Sequence, residues 1–233
     1  MRSTKFSYSY AIAFTIFIAI LSGCSNSEKP AADHQAADTA SVTKKSVKTS
    51  ASKNIVFFGT SLTAGLGVDP DQAFPALIQH TADFLKLPYH IINAGLSGET
   101  SADGKSRIEW LLRQPVAVFV LELGANDGLR GIPVKETELN LQAIIDKVKK
   151  KYPEAKLVLA GMQMPPSMGE KYTVPFKELF PALAKKNNMA LIPFLLQGVG
   201  GVPKLIQEDG LHPTPEGHRI IAQNVWEILQ PQL

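Results

Sequence analysis

The stretch "NIVFFGTSLTAGLGV", residues 54–68, decides how the chain is read. Apolar and aromatic residues run from 55 to 58, and Gly59 ends the run. A small polar knot follows around Ser61, set between Gly59 and Gly65. A short apolar run bounded by glycine and polar residues reads as a fully buried strand. A turn there needs only small residues. A serine at a strand end does chemistry only if partners from elsewhere in the chain reach it.

Working outward, the same pattern repeats. Short apolar runs at 90–92, 116–121, 156–160 and 190–192 are each bounded by Gly, Pro or polar residues. Between them lie segments with helical spacing. These are "DQAFPALIQHTADFLK", "VKETELNLQAIIDKVKKKY", "VPFKELFPALAKKNN" and the closing "TPEGHRIIAQNVWEILQ". The second places Leu139, Ile144, Ile145 and Val148 on one expected face. In the last, Thr214 is the expected N-cap and Pro215 stands where a first turn tolerates proline. Strands alternating with helices predict a three-layer α/β/α fold, a flavodoxin-like parallel sheet of five strands. There is no internal repeat, and residues 53–233 read as one domain.

In such sheets, sites form beyond the carboxyl ends of the strands. The segments expected on that rim carry Ser61, then Asn93 to Gly95, then Gly124 to Asp127, then "GMQMPPSMGEKY", and finally "EDGLHPTPEGH" before the last helix. A serine hydroxyl is a weak nucleophile until a base takes its proton. His212 is the base candidate, because imidazole exchanges protons near neutrality. Asp209, three residues earlier, is placed to hold the other ring nitrogen across the tight "DGLHP" turn. An oxyanion needs donors, and the Ser61 and Gly95 backbone N–H groups and the Asn126 amide are the candidates. Gly124, Leu129, Met162, Met164 and Pro165 are the expected substrate-binding residues, the methionines because they adapt to variable chains. Asp127 reads as support for the Asn126 loop, and Ser97 as a loop residue beside the site. His218 lacks further ligands at metal-binding spacing, so no metal and no cofactor is expected.

Four of these segments, "FFGTSLTAG", "INAGLSGET", "LELGANDGLR" and "DGLHPTPEGH", stand in the order of the blocks of SGNH hydrolases, the GDSL esterase/lipase family. The resemblance spans about residues 54–233. It is nearest to the bacterial thioesterase I, lysophospholipase and arylesterase branch. It implies the SGNH hydrolase fold, with Ser61 as nucleophile and oxyanion donor. It also implies Gly95 and Asn126 as the other oxyanion donors, Asp209 and His212 as acid and base, and a mobile segment at about 124–131. The family pattern has Asp between the Gly and Ser of its first block, where this chain has Thr60. The resemblance implies hydrolysis of carboxylic esters or thioesters. A carbohydrate O-acetyl esterase of the same fold is the alternative. A silent flavodoxin-like binding module is a further one, which should have lost Ser, Asn or His.

The amino-terminal 52 residues read differently. Arg2 and Lys5 precede an apolar core at 11–21, too short to span a bilayer and suited to a secretory signal, so residues 1–23 are the expected signal peptide. "LSGC" then resembles a bacterial lipobox, implying cleavage before Cys24 and lipidation of its sulfur. Cys24 is the sole cysteine, so no disulfide forms within the chain. Residues 24–52 are the expected tether, without aromatics, and a coil of that length reaches roughly 30 Å. Together these imply an exported, membrane-anchored lipoprotein, at the outer membrane facing the periplasm if the cell is Gram-negative and otherwise at the cell surface. The chain is 45% hydrophobic and 19% charged with net charge +3, but that excess lies in the first 52 residues, which hold six basic against three acidic. The remainder balances at 18 of each, which argues against a nucleic-acid partner. The expected partners are a small acyl ester or thioester and, through Cys24, a membrane; the expected state is a monomer.

Overall fold

The computed structural model describes residues 53–233. The expectations for the signal, Cys24 and tether concern residues 1–52 and lie outside the described residues. Five strands run through the domain: β1 (Lys53–Gly59), β2 (Tyr89–Gly95), β3 (Val118–Glu122), β4 (Lys156–Ala160) and β5 (Ala190–Ile192). They form one parallel sheet in the order β2-β1-β3-β4-β5. This is the doubly wound order, whose switch point lies between β1 and β3. Residue Gly59 therefore ends level with Gly95 on one side and Glu122 on the other.

Every residue of β3, and β1 from Ile55 onward, is buried. Apolar side chains fill both faces of these strands, except at the end of β3, where the Glu122 carboxyl is buried. Helices α2 (Phe74–Phe84) and α7 (Pro215–Leu229) pack together on one face of the sheet. On the other lie α3 (Ser101–Leu111), α5 (Val134–Lys151) and α6 (Glu170–Asn187). Two short helices, α1 (Ser61–Ala64) and α4 (Ala125–Leu129), start at the ends of β1 and just beyond β3.

Two expectations need correction. The sequence reading assigned no helix between β2 and β3, yet α3 is there. Its polar sequence shows little amphipathic period, and its start is set instead by a capping box. Thr100 Oγ1 accepts from the Asp103 N–H at 3.3 Å, and Asp103 accepts the Thr100 N–H at 2.9 Å. Gly104 lets this helix approach the sheet; a Cβ there would stand 2.4 Å from Leu123 Cδ1. In α5, Leu139 is exposed and Leu141 is buried in its place. The spacing explains it: 141, 144, 145 and 148 fall at i, i+3, i+4 and i+7, and 139 does not.

β2 is one of the two edges of the sheet, opposite β5. Gln79, from α2, lies along it. Its Oε1 accepts the Ile91 N–H at 2.7 Å, and its Nε2 donates to Tyr89 O at 3.3 Å and Asp83 Oδ1 at 2.8 Å.

Candidate active site

The nucleophile loop is built by β1 running into a helix of four residues. Thr60 is its N-cap, in extended backbone, and Gly65 closes it in left-handed conformation. Ser61 opens the helix, with little solvent exposure. The acid–base loop is built before α7, where the isolated bridge between Ile206 and Pro213 pinches the chain. Within it the His212 carbonyl accepts the Gln207 N–H at 2.7 Å. Gln207 Nε2 also donates to Pro213 O and to Leu66 O, each at 2.8 Å. One amide thus ties the acid–base loop to the end of the nucleophile loop.

The structure brings Ser61, His212 and Asp209 together. His212 Nε2 lies 2.8 Å from Ser61 Oγ, and His212 Nδ1 lies 2.5 Å from Asp209 Oδ2. The other Asp209 oxygen accepts the N–H groups of Leu211 at 2.9 Å and His212 at 3.0 Å. The His212 backbone and ring N–H and the Leu211 N–H hold the Asp209 carboxyl down to about 2. An ionised Asp209 fixes the proton of neutral His212 on Nδ1, which leaves Nε2 free to accept from the serine.

Asn126 reaches the same rim from α4, and its Nδ2 donates to Glu99 O at 2.9 Å. The second N–H of that amide is not used in this bond. Gly95 does not take the place expected of it. Its N–H is occupied by Asn93 Oδ1 at 3.0 Å, and a Cβ there would stand 2.2 Å from Ala64 N. Gly95 therefore serves close packing beneath α1. Three residues on, Gly98 has φ +81, and its N–H makes no hydrogen bond among the described residues. It precedes Glu99, whose carbonyl carries the Asn126 amide. The "GLSGE" segment thus presents a different glycine from the one expected.

A cavity of about 450 Å³ opens from Ser61 and His212. Leu129, Met162, Met164 and Pro165 line it as expected, and so do Phe194, Leu196 and Ile206. Gly124 does not. It is the left-handed N-cap of α4, turned toward Phe180 and Thr137 in the interior. The missed residues Phe194 and Leu196 follow β5 directly, and reading the segment after that strand as part of the rim would have found them.

Beneath the site lie buried polar and charged groups. Asp127 is fully buried and accepts Ser101 Oγ at 2.5 Å, Ser101 N at 2.7 Å and Thr137 Oγ1 at 3.3 Å, which supports the Asn126 loop as expected. Arg107 donates to Ala94 O at 2.8 Å and pairs with the Glu99 carboxylate. Glu122, at the end of β3, accepts from the Thr60 N–H at 2.7 Å, from Thr60 Oγ1 at 3.1 Å and from Thr63 Oγ1 at 2.7 Å. The Thr60 hydroxyl therefore engages a carboxyl, and its contact with the Leu62 N–H, at 3.5 Å, is marginal. Burial pushes Glu122 up to about 7 against the pull of those donors. His218 is buried under Phe74, whose N–H donates to its Nδ1 at 3.2 Å. Burial pushes its pKa down to about 4.

Comparison with known proteins agrees with this architecture. Residues 57–220 match the model of the GDSL-like Lipase/Acylhydrolase family. Esterase TesA of Pseudomonas aeruginosa is 38% identical over 184 residues, covering 78% of this chain and 90% of that protein. Thioesterase 1/protease 1/lysophospholipase L1 of Escherichia coli K12 is 35% identical over 185 residues, covering 79% and 86%. A crystal structure of TesA superposes with a TM-score of 0.75 at 38% identity, covering 78% of this chain and all of that one. Fold, motif order and relatives concur: the chain belongs to the GDSL-like lipase/acylhydrolase family and is an SGNH-type ester hydrolase.

Proposed function

We propose that Ser61 attacks the carbonyl of a carboxylic ester or thioester, with His212 as the base and Asp209 holding its tautomer. Ser61 Oγ gives its proton to His212 Nε2 as the bond to the carbonyl carbon forms. His212 then returns that proton to the leaving alcohol or thiol. Water, deprotonated by the same imidazole, releases the acid and restores the serine. The developing oxyanion is met by the Ser61 N–H, the Asn126 amide and the Gly98 N–H, the last in place of Gly95. No step requires a metal or cofactor.

The observation that carries this reading is the continuous line from Asp209 Oδ2 through His212 to Ser61 Oγ, at 2.5 and 2.8 Å. The lining of the cavity, with Met162, Met164, Phe194 and Leu196, favours an acyl chain over an acetylated sugar. Acyl esters, acyl thioesters and lysophospholipids are the substrate class. The relatives' names, esterase and thioesterase/lysophospholipase, support it. Export and anchoring through a lipidated Cys24 complete the proposal and put such lipids within reach.

The test is Ser61→Ala in the full chain, assayed on p-nitrophenyl butyrate. Turnover should fall at least about 10³-fold with an unchanged melting temperature. Wild-type-like turnover would overturn the assignment. A series of p-nitrophenyl esters from C2 to C16, with acyl-CoA and lysophospholipid, should favour chains beyond acetyl. Cys24→Ser should move the protein from the membrane fraction to the soluble one.

A further inference from the structure

We infer that Glu122 is a positioning residue: its carboxylate, taking three donors from the nucleophile loop, sets the direction of the Ser61 N–H and hydroxyl. The inference rests on the reading of Ser61 as nucleophile.

The geometry is specific to this pair of strand ends. Glu122 is level with Gly59 across β1 and β3, and its side chain lies under the turn into α1. It fills the space that a side chain at residue 59 would take. A Cβ on Gly59 would stand 2.4 Å from Glu122 Oε2 and 2.2 Å from Thr63 Oγ1. The glycine before the nucleophile loop therefore makes room for a carboxyl. That carboxyl grips the loop on both sides of Ser61, by the Thr60 N–H and hydroxyl before it and the Thr63 hydroxyl after it. The Thr60 peptide N–H is fixed, so the next peptide, which carries the Ser61 N–H, has little freedom to turn.

Among the described residues no basic side chain pairs with Glu122, and its donors are neutral. The ionisable groups on the neighbouring elements are engaged elsewhere. Asp127 of α4 holds Ser101, Glu99 holds Arg107 beside α3, and Asp209 holds His212. A buried carboxyl with donors alone around it makes every bond when ionised. A proton on Oε1 would need an acceptor, and Thr60 Oγ1 is the one within reach. The Thr60 hydroxyl would then have to stop donating to Glu122. Since burial raises this carboxyl to about 7, the exchange falls near neutral pH.

Thr60 gains a meaning from this arrangement. The family pattern places aspartate at this position. An aspartate would bring a second carboxyl against Glu122, and two like charges at that distance do not both ionise. With threonine, the loop can be braced by an ionised Glu122 alone.

The experiment measures kcat, KM and their pH dependence on p-nitrophenyl butyrate for the full chain and for Glu122→Gln, Thr60→Val, Thr60→Ser and Thr60→Asp. Glu122→Gln should lower kcat about tenfold or more at pH 8 with KM within twofold. Its acid limb should fit one proton where the wild type needs more than one. Thr60→Val should lower kcat and Thr60→Ser should restore most of it. Thr60→Asp should move the acid limb to higher pH. If Glu122→Gln does not fold, the Thr60 variants decide. Equal kcat in Thr60→Val and wild type would overturn the inference. So would equal impairment of Thr60→Val and Thr60→Ser, or an acid limb unmoved in Thr60→Asp. Ser61→Ala in the same series separates this outcome from failure of the nucleophile itself, since its loss of turnover does not depend on Glu122.

Discussion

Asp209 divides its work between two oxygens. Oδ1 takes two backbone N–H groups of its own turn, and Oδ2 takes the imidazole. The turn therefore builds its own acceptor for the histidine, without help from another strand. Asp209→Asn should keep that turn but lose control of the tautomer, lowering kcat about 10³- to 10⁴-fold with little change in KM. With its carboxyl held at about 2, Asp209 stays ionised through any pH at which the enzyme is assayed, so it contributes no limb above pH 4. Its stabilising effect is present above the ordinary carboxylate range and is lost as pH falls toward 2. His218 acts in the same direction but in a higher window. The unfolded chain protonates this imidazole near 6.5, while the folded chain resists until about 4. The unfolded state binds the extra proton in between, so stability falls as pH drops from about 6.5 to 4, by up to on the order of 3 kcal/mol. His218→Phe should flatten that part of a denaturation-versus-pH profile, measured by urea midpoints.

At the scale of elements, helix α3 shows what a sequence pattern conceals. It carries Arg107 and the Ser101 that binds Asp127, so it braces two loops of the site. It is held close to the sheet by the bare Cα of Gly104. Gly104→Ala would add a methyl against Leu123 and Phe58, and should lower stability by about 1–3 kcal/mol and weaken kcat as α3 shifts, read by urea melts and ester assay. Strands were legible because burial on both faces leaves only apolar side chains, and 156–160 and 190–192 coincide with β4 and β5. The grouping of Ser61, His212 and Asp209 was legible because a serine proposed as nucleophile needs a base, and the base needs an orienting acid. The glycine error has a physical source. Sequence marks where a backbone is bare but not whether its N–H is already taken, as Asn93 takes that of Gly95. Glu122 was hidden because a single carboxyl ending an apolar strand reads as the strand's boundary. Helix α6 crosses two prolines, Pro175 and Pro181, because both lie on its exposed side, where water can serve the carbonyls left without partners.

At the scale of the whole molecule, the two loops that make the site come from opposite ends of the described domain. Ser61 and His212 are 151 residues apart. The site forms only when β1 and the segment before α7 are both docked, so chemical activity and the closing of the fold should be lost together in denaturant. The Gln79 contact along β2 has a different consequence, for the company the protein keeps. A parallel sheet has two open edges, and an open edge is a template on which another chain can add a strand. Here β5 is only three residues long, and β2 presents its backbone to the Gln79 amide instead of to a stranger. Gln79→Ala should leave hydrolysis intact while raising concentration-dependent self-association, measured by light scattering on warming. On that expectation one side-chain amide, remote from the catalytic rim, would keep each copy of the enzyme from serving as a seed for the next.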